Sequence, residues 1–201
     1  MQALDSLWLD TLRRIVDCAT HELKGALNGV SLNAEVVRSR AERGNAPAST
    51  LASYANAASM QLDAVIAMTE ALLALSRRSK SPVELASVVR HVGALIGPAV
   101  RSDGRSFELG VLDDLGTTSA TDAVRLAIGA VLLAASERAS SVRCASTGGA
   151  NPALRVEYDG ELAAVTPEVT AAVADAGVRI SSDAGGMIIS FPREPRVDRS
   201  T

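Results

Sequence analysis

The stretch Leu12–Val37, "LRRIVDCATHELKGALNGVSLNAEVV", decides how the chain begins to fold. Apolar or small residues fall at Leu12, Val16, Ala19, Leu23, Ala26, Val30 and Val37, in alternating steps of four and three, with Asn33 as the one polar break. That spacing is a heptad-like stripe, and no proline interrupts it from Leu4 to Arg43, so one long helix is expected. "RGNAPAST", Arg43–Thr50, then breaks the pattern. Gly44 can end a helix, Pro47 cannot sit in the middle of one, and Ser49 or Thr50 can cap the next. A second stripe follows at Leu51, Tyr54, Ala58, Leu62, Val65, Met68, Leu72 and Leu75. Two long helices joined by a short loop form an antiparallel hairpin.

A lone hairpin leaves part of both stripes bare. Pairing two hairpins in a homodimer would close a four-helix bundle; in a monomer the C-terminal half would cover the hairpin instead. "SRRSKSP", Ser76–Pro82, is polar and ends in proline, so it reads as a hinge. Beyond it "VELASVVRHVGALIG" is helical, "SFELGVLD" alternates like a strand, and "DAVRLAIGAVLLAASERA" is a very apolar helix. "SVRCAST" and "ALRVEYDG" are short strands, "PEVTAAVADAG" is a helix with proline near its start and glycine past its end, and "VRISSDAGGMIISFP" closes as a strand hairpin. The expected fold class is α+β: a long N-terminal helical hairpin over residues 1–80, a small α/β sandwich with helices on one sheet face over 81–193, and a disordered tail over 194–201.

Composition narrows the partners. Hydrophobic residues are 47% of the chain but aromatics only 2%, so slim helices must pack closely. The net charge of −3 is spread along the chain, with no basic block for nucleic acid. No run of about 18 uncharged apolar residues marks a membrane span. The acidic N-terminus argues against a secretory signal, and the two cysteines, far apart and without metal-ligand spacing, fit a reducing cytoplasm. Trp8 is expected to pack near the end of the bundle, Cys18 to be a half-buried packing residue, and His91 a partly exposed helix histidine. Asp63 and Glu70 read as solvated charges. No carboxylate pair, nucleophile triad or metal-ligand cluster is visible.

His21 stands apart. At about 100° per residue it lies about 160–200° from Ala19 and Leu23, on the outer face of the helix. A neutral imidazole is a good nucleophile near its reference pKa of about 6.5. Glu22 can accept a hydrogen bond from the second ring nitrogen, and Lys24 can approach a phosphoryl oxygen. Gly25 and Gly29 each cost about 1 kcal/mol in a helix interior relative to alanine. They fit either close helix packing or the approach of a partner's backbone.

"HELKGALNGVSL" resembles the phosphoacceptor box of sensor histidine kinases: histidine, acid, aliphatic, base, two variable positions, leucine. His21, Glu22, Leu23, Lys24 and Leu27 match it. "VELASVVRHVGALIGPAVRSDGRSFELGVLDD" is similar to the opening of the family's ATP-binding domain, and "GVRISSDAGGMIISFP" to its closing strands. The resemblance implies that His21 accepts phosphate, that Glu22 and Lys24 assist, and that Gly25, Asn28 and Gly29 lie where a partner docks.

The departures matter as much. Leu132 and Ser136 stand where the family's nucleotide helix carries asparagines, and an aliphatic chain cannot ligate magnesium. The family's Asp-x-Gly-x-Gly turn survives only as Asp159 and Gly160, with Leu162 in place of a glycine. Only a short helix, 167–176, stands where the glycine-rich lid would be. "DAGG", 183–186, lacks a P-loop lysine and a following helix, and reads as a hairpin turn. The chain thus resembles dimeric histidine phosphotransferases derived from histidine kinases. That resemblance implies transfer between His21 and response-regulator receiver domains, with no intrinsic cofactor or metal and with Mg2+ supplied by the receiver. Gly25, where dephosphorylating kinases often carry Asn or Thr, implies weak or absent phosphatase activity. Two readings compete: a divergent active histidine kinase, and a non-catalytic scaffold.

Overall fold

A computed structural model describes residues 2–44, 47–77, 83–113, 116–147, 151–183 and 185–193. Two helices, α1 (Gln2–Glu42) and α2 (Ala48–Ser76), form the antiparallel hairpin. Gly44, at φ 66°, takes the left-handed conformation that ends α1, and its amide donates to the Ala41 carbonyl at 3.1 Å. The start of α2 differs from the sequence expectation. Pro47 holds the N-cap position without a side-chain cap, and Ser49 and Thr50 lie inside the first turn. Proline's fixed φ suits a helix entrance, and this displaces the polar caps inward.

The chain continues with β1 (Val83–Glu84), α3 (Leu85–Ser102), β2 (Ser106–Leu109), β3 (Gly116–Thr117) and α4 (Thr121–Arg138). Then come β4 (Ser141–Ser146), β5 (Ala153–Asp159), α5 (Pro167–Asp175), β6 (Arg179–Asp183) and β7 (Gly186–Ser190). The fold is α+β, as expected; the two-residue strands β1 and β3, which pair with each other, are too short for a sequence pattern to reveal. The main sheet runs β2-β4-β5-β7-β6, with β2 parallel to β4 and the other pairs antiparallel. Strand alternation puts Phe107, Val142, Cys144, Leu154, Val156 and Ile189 on the buried face beneath the helices. On the bare face Glu108, Arg143 and Glu157 stand opposite one another. Asp183 and Gly186 pair at the β6–β7 turn, so "DAGG" is a hairpin turn. Gly186 has φ 154°, and a β-carbon there would collide with the Val156 carbonyl.

Helix α4 lies at the centre. From Ala123 to Ser136 every residue but Ala130 is buried, as befits a helix apolar all round. One side of it takes Trp8, Thr11 and Ile15 of α1. A β-carbon on Gly129 would lie 3.2 Å from Ile15 Cδ1 and Thr11 Cγ2, and 3.4 Å from Trp8 Cζ3. Trp8 therefore packs against α4, not simply against the end of the hairpin. Its face of α1, with Thr11 and Ile15, is a second buried face beside the predicted stripe. The core runs without a break from Trp8, Ile15, Met68 and Leu75 into α3, α4 and the sheet. Full burial of each such large apolar side chain contributes about 1.5–3 kcal/mol.

This contact covers only the lower hairpin. Leu27 of α1 and Leu62, Ile66 and Leu73 of α2 remain 45–50% exposed. By length and mean hydropathy (1.4 in its most apolar window) α2 would suffice to cross a membrane, which the charge-free criterion passes over. It carries exposed Asp63 and Glu70, and its buried residues Met68, Ala71 and Leu75 belong to the common core. The hinge residues 78–82 and the tail 194–201 lie outside the described residues.

Candidate functional site

His21 sits midway along α1, a 41-residue helix, with its side chain exposed. Thr20, its neighbour, is turned back into the helix and donates to the Val16 carbonyl at 2.7 Å. Helical geometry stacks His21, Gly25, Asn28 and Leu32 along one line, at i, i+4, i+7 and i+11. All four are exposed, and around Gly25 nothing comes within 4 Å of where a β-carbon would stand. Lys24 flanks this line on the open side, and Glu22 is half-buried. Among the described residues no side chain of His21, Glu22 or Lys24 makes a hydrogen bond or ion pair, so no bond joins Glu22 to the ring.

The two glycines separate here. Gly29 is turned toward α2, where a β-carbon would collide with the Gln61 side chain. Gln61 Oε1 also accepts from Asn33 Nδ2 at 3.1 Å. Gly29 thus makes room for a polar layer inside the hairpin, which also explains the break in the stripe at Asn33. Gly25 has no such occupant.

Below His21 the same line of α1 meets the sheet-bearing half. Arg14, seven residues earlier and about 10 Å along the axis, pairs with Glu137 in the last turn of α4. On the face of α1 turned away from His21, Val16, Thr20, Leu23, Met68, Leu72 and Leu95 border a small apolar recess of about 50 Å³.

Cys18 is exposed rather than half-buried, because it projects toward the His21 side of α1. Partial desolvation raises its thiol pKa above the ordinary value; Arg14 opposes this, and Glu137 and Asp17 add to it. Cys144 faces the core, and burial pushes its thiol up to about 12. A thiol-reactive probe at pH 7.5 is therefore expected to label one cysteine per chain, slowly. Peptide mapping should find it at Cys18, with Cys144 labelled only after unfolding.

The positions expected to have lost nucleotide chemistry are built into the core. Leu132 is fully buried; Ser136 is 6% exposed, with its hydroxyl unpartnered among the described residues. The Asp159 carbonyl accepts from the Ser140 amide at 2.8 Å, holding it at the end of β5. The Ala163 amide donates to the Ala134 carbonyl at 3.2 Å, which lays the segment after Gly160 along α4. Among the described residues no three His, Cys, Asp or Glu side chains converge as a metal site.

The sequence reading missed Arg125. This arginine, 7% exposed, interrupts the apolar helix α4. It donates through Nη1 to the Arg77 carbonyl at 2.8 Å and through Nη2 to the Ala74 carbonyl at 3.0 Å, capping the C-terminal end of α2. Asp122 Oδ1 lies 3.6 Å from Nη1. A lone cation in an otherwise apolar helical run was the available signal.

No family model and no curated protein matches the chain. Solved structures with a similar course include a bacterial phosphotransferase, at 14% identity and TM-score 0.43, covering 90% of this chain and 95% of that one. The Acinetobacter baumannii histidine kinase AdeS aligns at 14% identity and TM-score 0.45, covering 87% and 98%. The histidine kinase domain of the Erythrobacter litoralis EL346 blue-light activated histidine kinase aligns at 18% identity and TM-score 0.40, covering 83% and 95%.

Proposed function

We propose that the chain is a cytoplasmic histidine phosphotransfer protein of two-component signalling, exchanging a phosphoryl group between His21 and the aspartates of response-regulator receiver domains without using ATP. The observation that carries this reading is the unobstructed imidazole in "HELKGALNG", on a long rigid helix, with an open strip over Gly25 and Asn28 beside it. In the forward step an imidazole nitrogen attacks phosphorus of the receiver's aspartyl phosphate. The P–N bond forms, the P–O bond to the carboxylate breaks, and the carboxylate leaves with the electron pair. The proton on the second ring nitrogen passes to Glu22 or water. Lys24 draws charge from the phosphoryl oxygens, and the receiver supplies Mg2+. This chain contributes position and charge.

The packing of α4 supports the exclusion of ATP. Its N-terminal end is tied to α2 through Arg125, its middle to α1 through Gly129, and its last turn to α1 through Glu137. A kinase must carry a bound nucleotide to its histidine; here α4 is fastened to the hairpin at three points. Mixing the protein with phosphorylated receivers, with and without ATP, and following acid-labile phosphate on wild type and His21→Gln tests the reading. Label arriving from ATP alone would favour a kinase. Receiver dephosphorylation with no phosphohistidine would contradict the role given to His21 and the expected lack of phosphatase activity at Gly25.

The same reading includes a homodimer. Leu62, Ile66 and Leu73 share one bare face of α2 near Leu27, and a second hairpin would cover them in a four-helix bundle. Light scattering is expected to give twice the mass of one chain. The double variant Leu62→Glu, Ile66→Glu should give a folded monomer. A monomeric wild type would remove the dimer from the proposal.

A further inference from the structure

A second carboxylate shares the exposed face of α1 with His21. Asp17 lies four residues before His21, so the two side chains emerge about 40° apart around the helix and about one turn apart along it. Residues at i and i+4 are neighbours on a helix surface, whereas adjacent residues do not face each other. Glu22 is adjacent to His21, turned about 100° from the ring and half-buried, while Asp17 is exposed. Side chains on a helix lean toward its N-terminal end, so the imidazole extends over the turn that holds Asp17 and Cys18. From the other side Lys24, three residues on, leans back toward the ring, and Gly25 puts no side chain over it.

The bases one turn before Asp17 are paired elsewhere: Arg13 with Asp10 at 3.3 Å, and Arg14 with Glu137. Among the described residues the Asp17 side chain makes no hydrogen bond or ion pair. Cys18 is the other group beneath the ring, but its raised pKa keeps it a thiol near neutral pH, and a thiol is a weak acceptor. Neither Asp17 nor His21 is held, so rotation of two exposed side chains brings them together.

We propose that Asp17 is a positioning residue for His21: its carboxylate accepts the N–H of the ring nitrogen nearer the helix, Nδ1, and leaves Nε2 facing outward with its lone pair. The hydrogen bond made by one ring nitrogen sets which of the two carries the proton. This inference rests on the phosphotransfer reading of His21. Nε2 forms the P–N bond, and the receiver's carboxylate leaves with the electron pair of the broken P–O bond. Asp17 offsets the positive charge that the ring gains until the Nδ1 proton departs.

NMR of the whole chain with isotope-labelled histidine reads the ring directly, and the two histidines give separate signals. The neutral His21 ring should show Nδ1 as its protonated nitrogen. Asp17→Ala should move both ring-nitrogen signals toward those of an unheld imidazole. Alanine is the best helix former and the position is exposed, so the variant folds. Phosphoramidate, a small phosphoryl donor, then measures the reactivity of the ring without a receiver. Asp17→Ala should be labelled at His21 about three- to tenfold more slowly, as loss of one hydrogen bond implies, and Asp17→Glu should recover most of the rate. Equal rates with unchanged ring signals in Asp17→Ala would overturn the role of Asp17, as would loss of the ring signature in Glu22→Ala alone. Failure of the phosphotransfer reading is a separate result: phosphorylated receivers then leave His21 unlabelled while phosphoramidate still labels it.

Discussion

His21→Gln is expected to abolish phosphate acceptance from phosphorylated receivers, by roughly a thousandfold or more, because an amide nitrogen offers no nucleophilic lone pair. Glutamine is a good helix former, and His21 is exposed without a hydrogen-bond partner among the described residues. Stability should therefore change by no more than about 0.5 kcal/mol. That contrast makes the test specific: an unfolded variant would lose activity trivially, whereas this one keeps its fold and loses one atom's chemistry. Rapid-quench measurement of acid-labile phosphate on both proteins, with thermal unfolding alongside, checks the two halves of the expectation. Equal labelling of wild type and variant would move the phosphoacceptor elsewhere, and His91 would be the next residue to replace.

The second large effect concerns Leu132, at the position where a nucleotide helix would carry a magnesium-binding asparagine. Leu132→Asn is expected to cost about 3–6 kcal/mol and to confer no nucleotide binding. Removing a fully buried leucine forfeits about 2–3 kcal/mol of apolar burial, and an amide left without a partner there costs about 1–3 kcal/mol more. Magnesium needs oxygen ligands and several of its own waters, which a packed core does not admit. Urea unfolding measures the first part, and calorimetric titration with Mg·ATP the second. A variant as stable as wild type, or one that gains millimolar binding of Mg·ATP, would show that this face of α4 still holds a latent nucleotide site.

The helical hairpin was legible because both helices repeat their apolar residues at helical spacing and Gly44 and Pro47 punctuate the turn. The strands were legible where alternation lasted four residues or more, as from Ser106 to Leu109 and from Ala153 to Asp159. His21 could be placed on the outer face from its angle to Ala19 and Leu23 alone. Other features depend on what another element does. Trp8, Thr11 and Ile15 form a buried face only because Gly129 lets α1 come close, and nothing within 30 residues of Trp8 records that. Gly25 and Gly29 look alike in sequence, yet one is open and the other holds Gln61.

Periodicity and turn chemistry are local, so the sequence by itself determined the longer elements, their order, and the exposure of one imidazole on a continuous helix. Which helix faces meet is set by side chains far apart in the chain, through close-packing and buried charge. Only the tertiary structure could decide that α4 packs against α1 between α3, α5 and the sheet, and that Arg125 caps the end of α2.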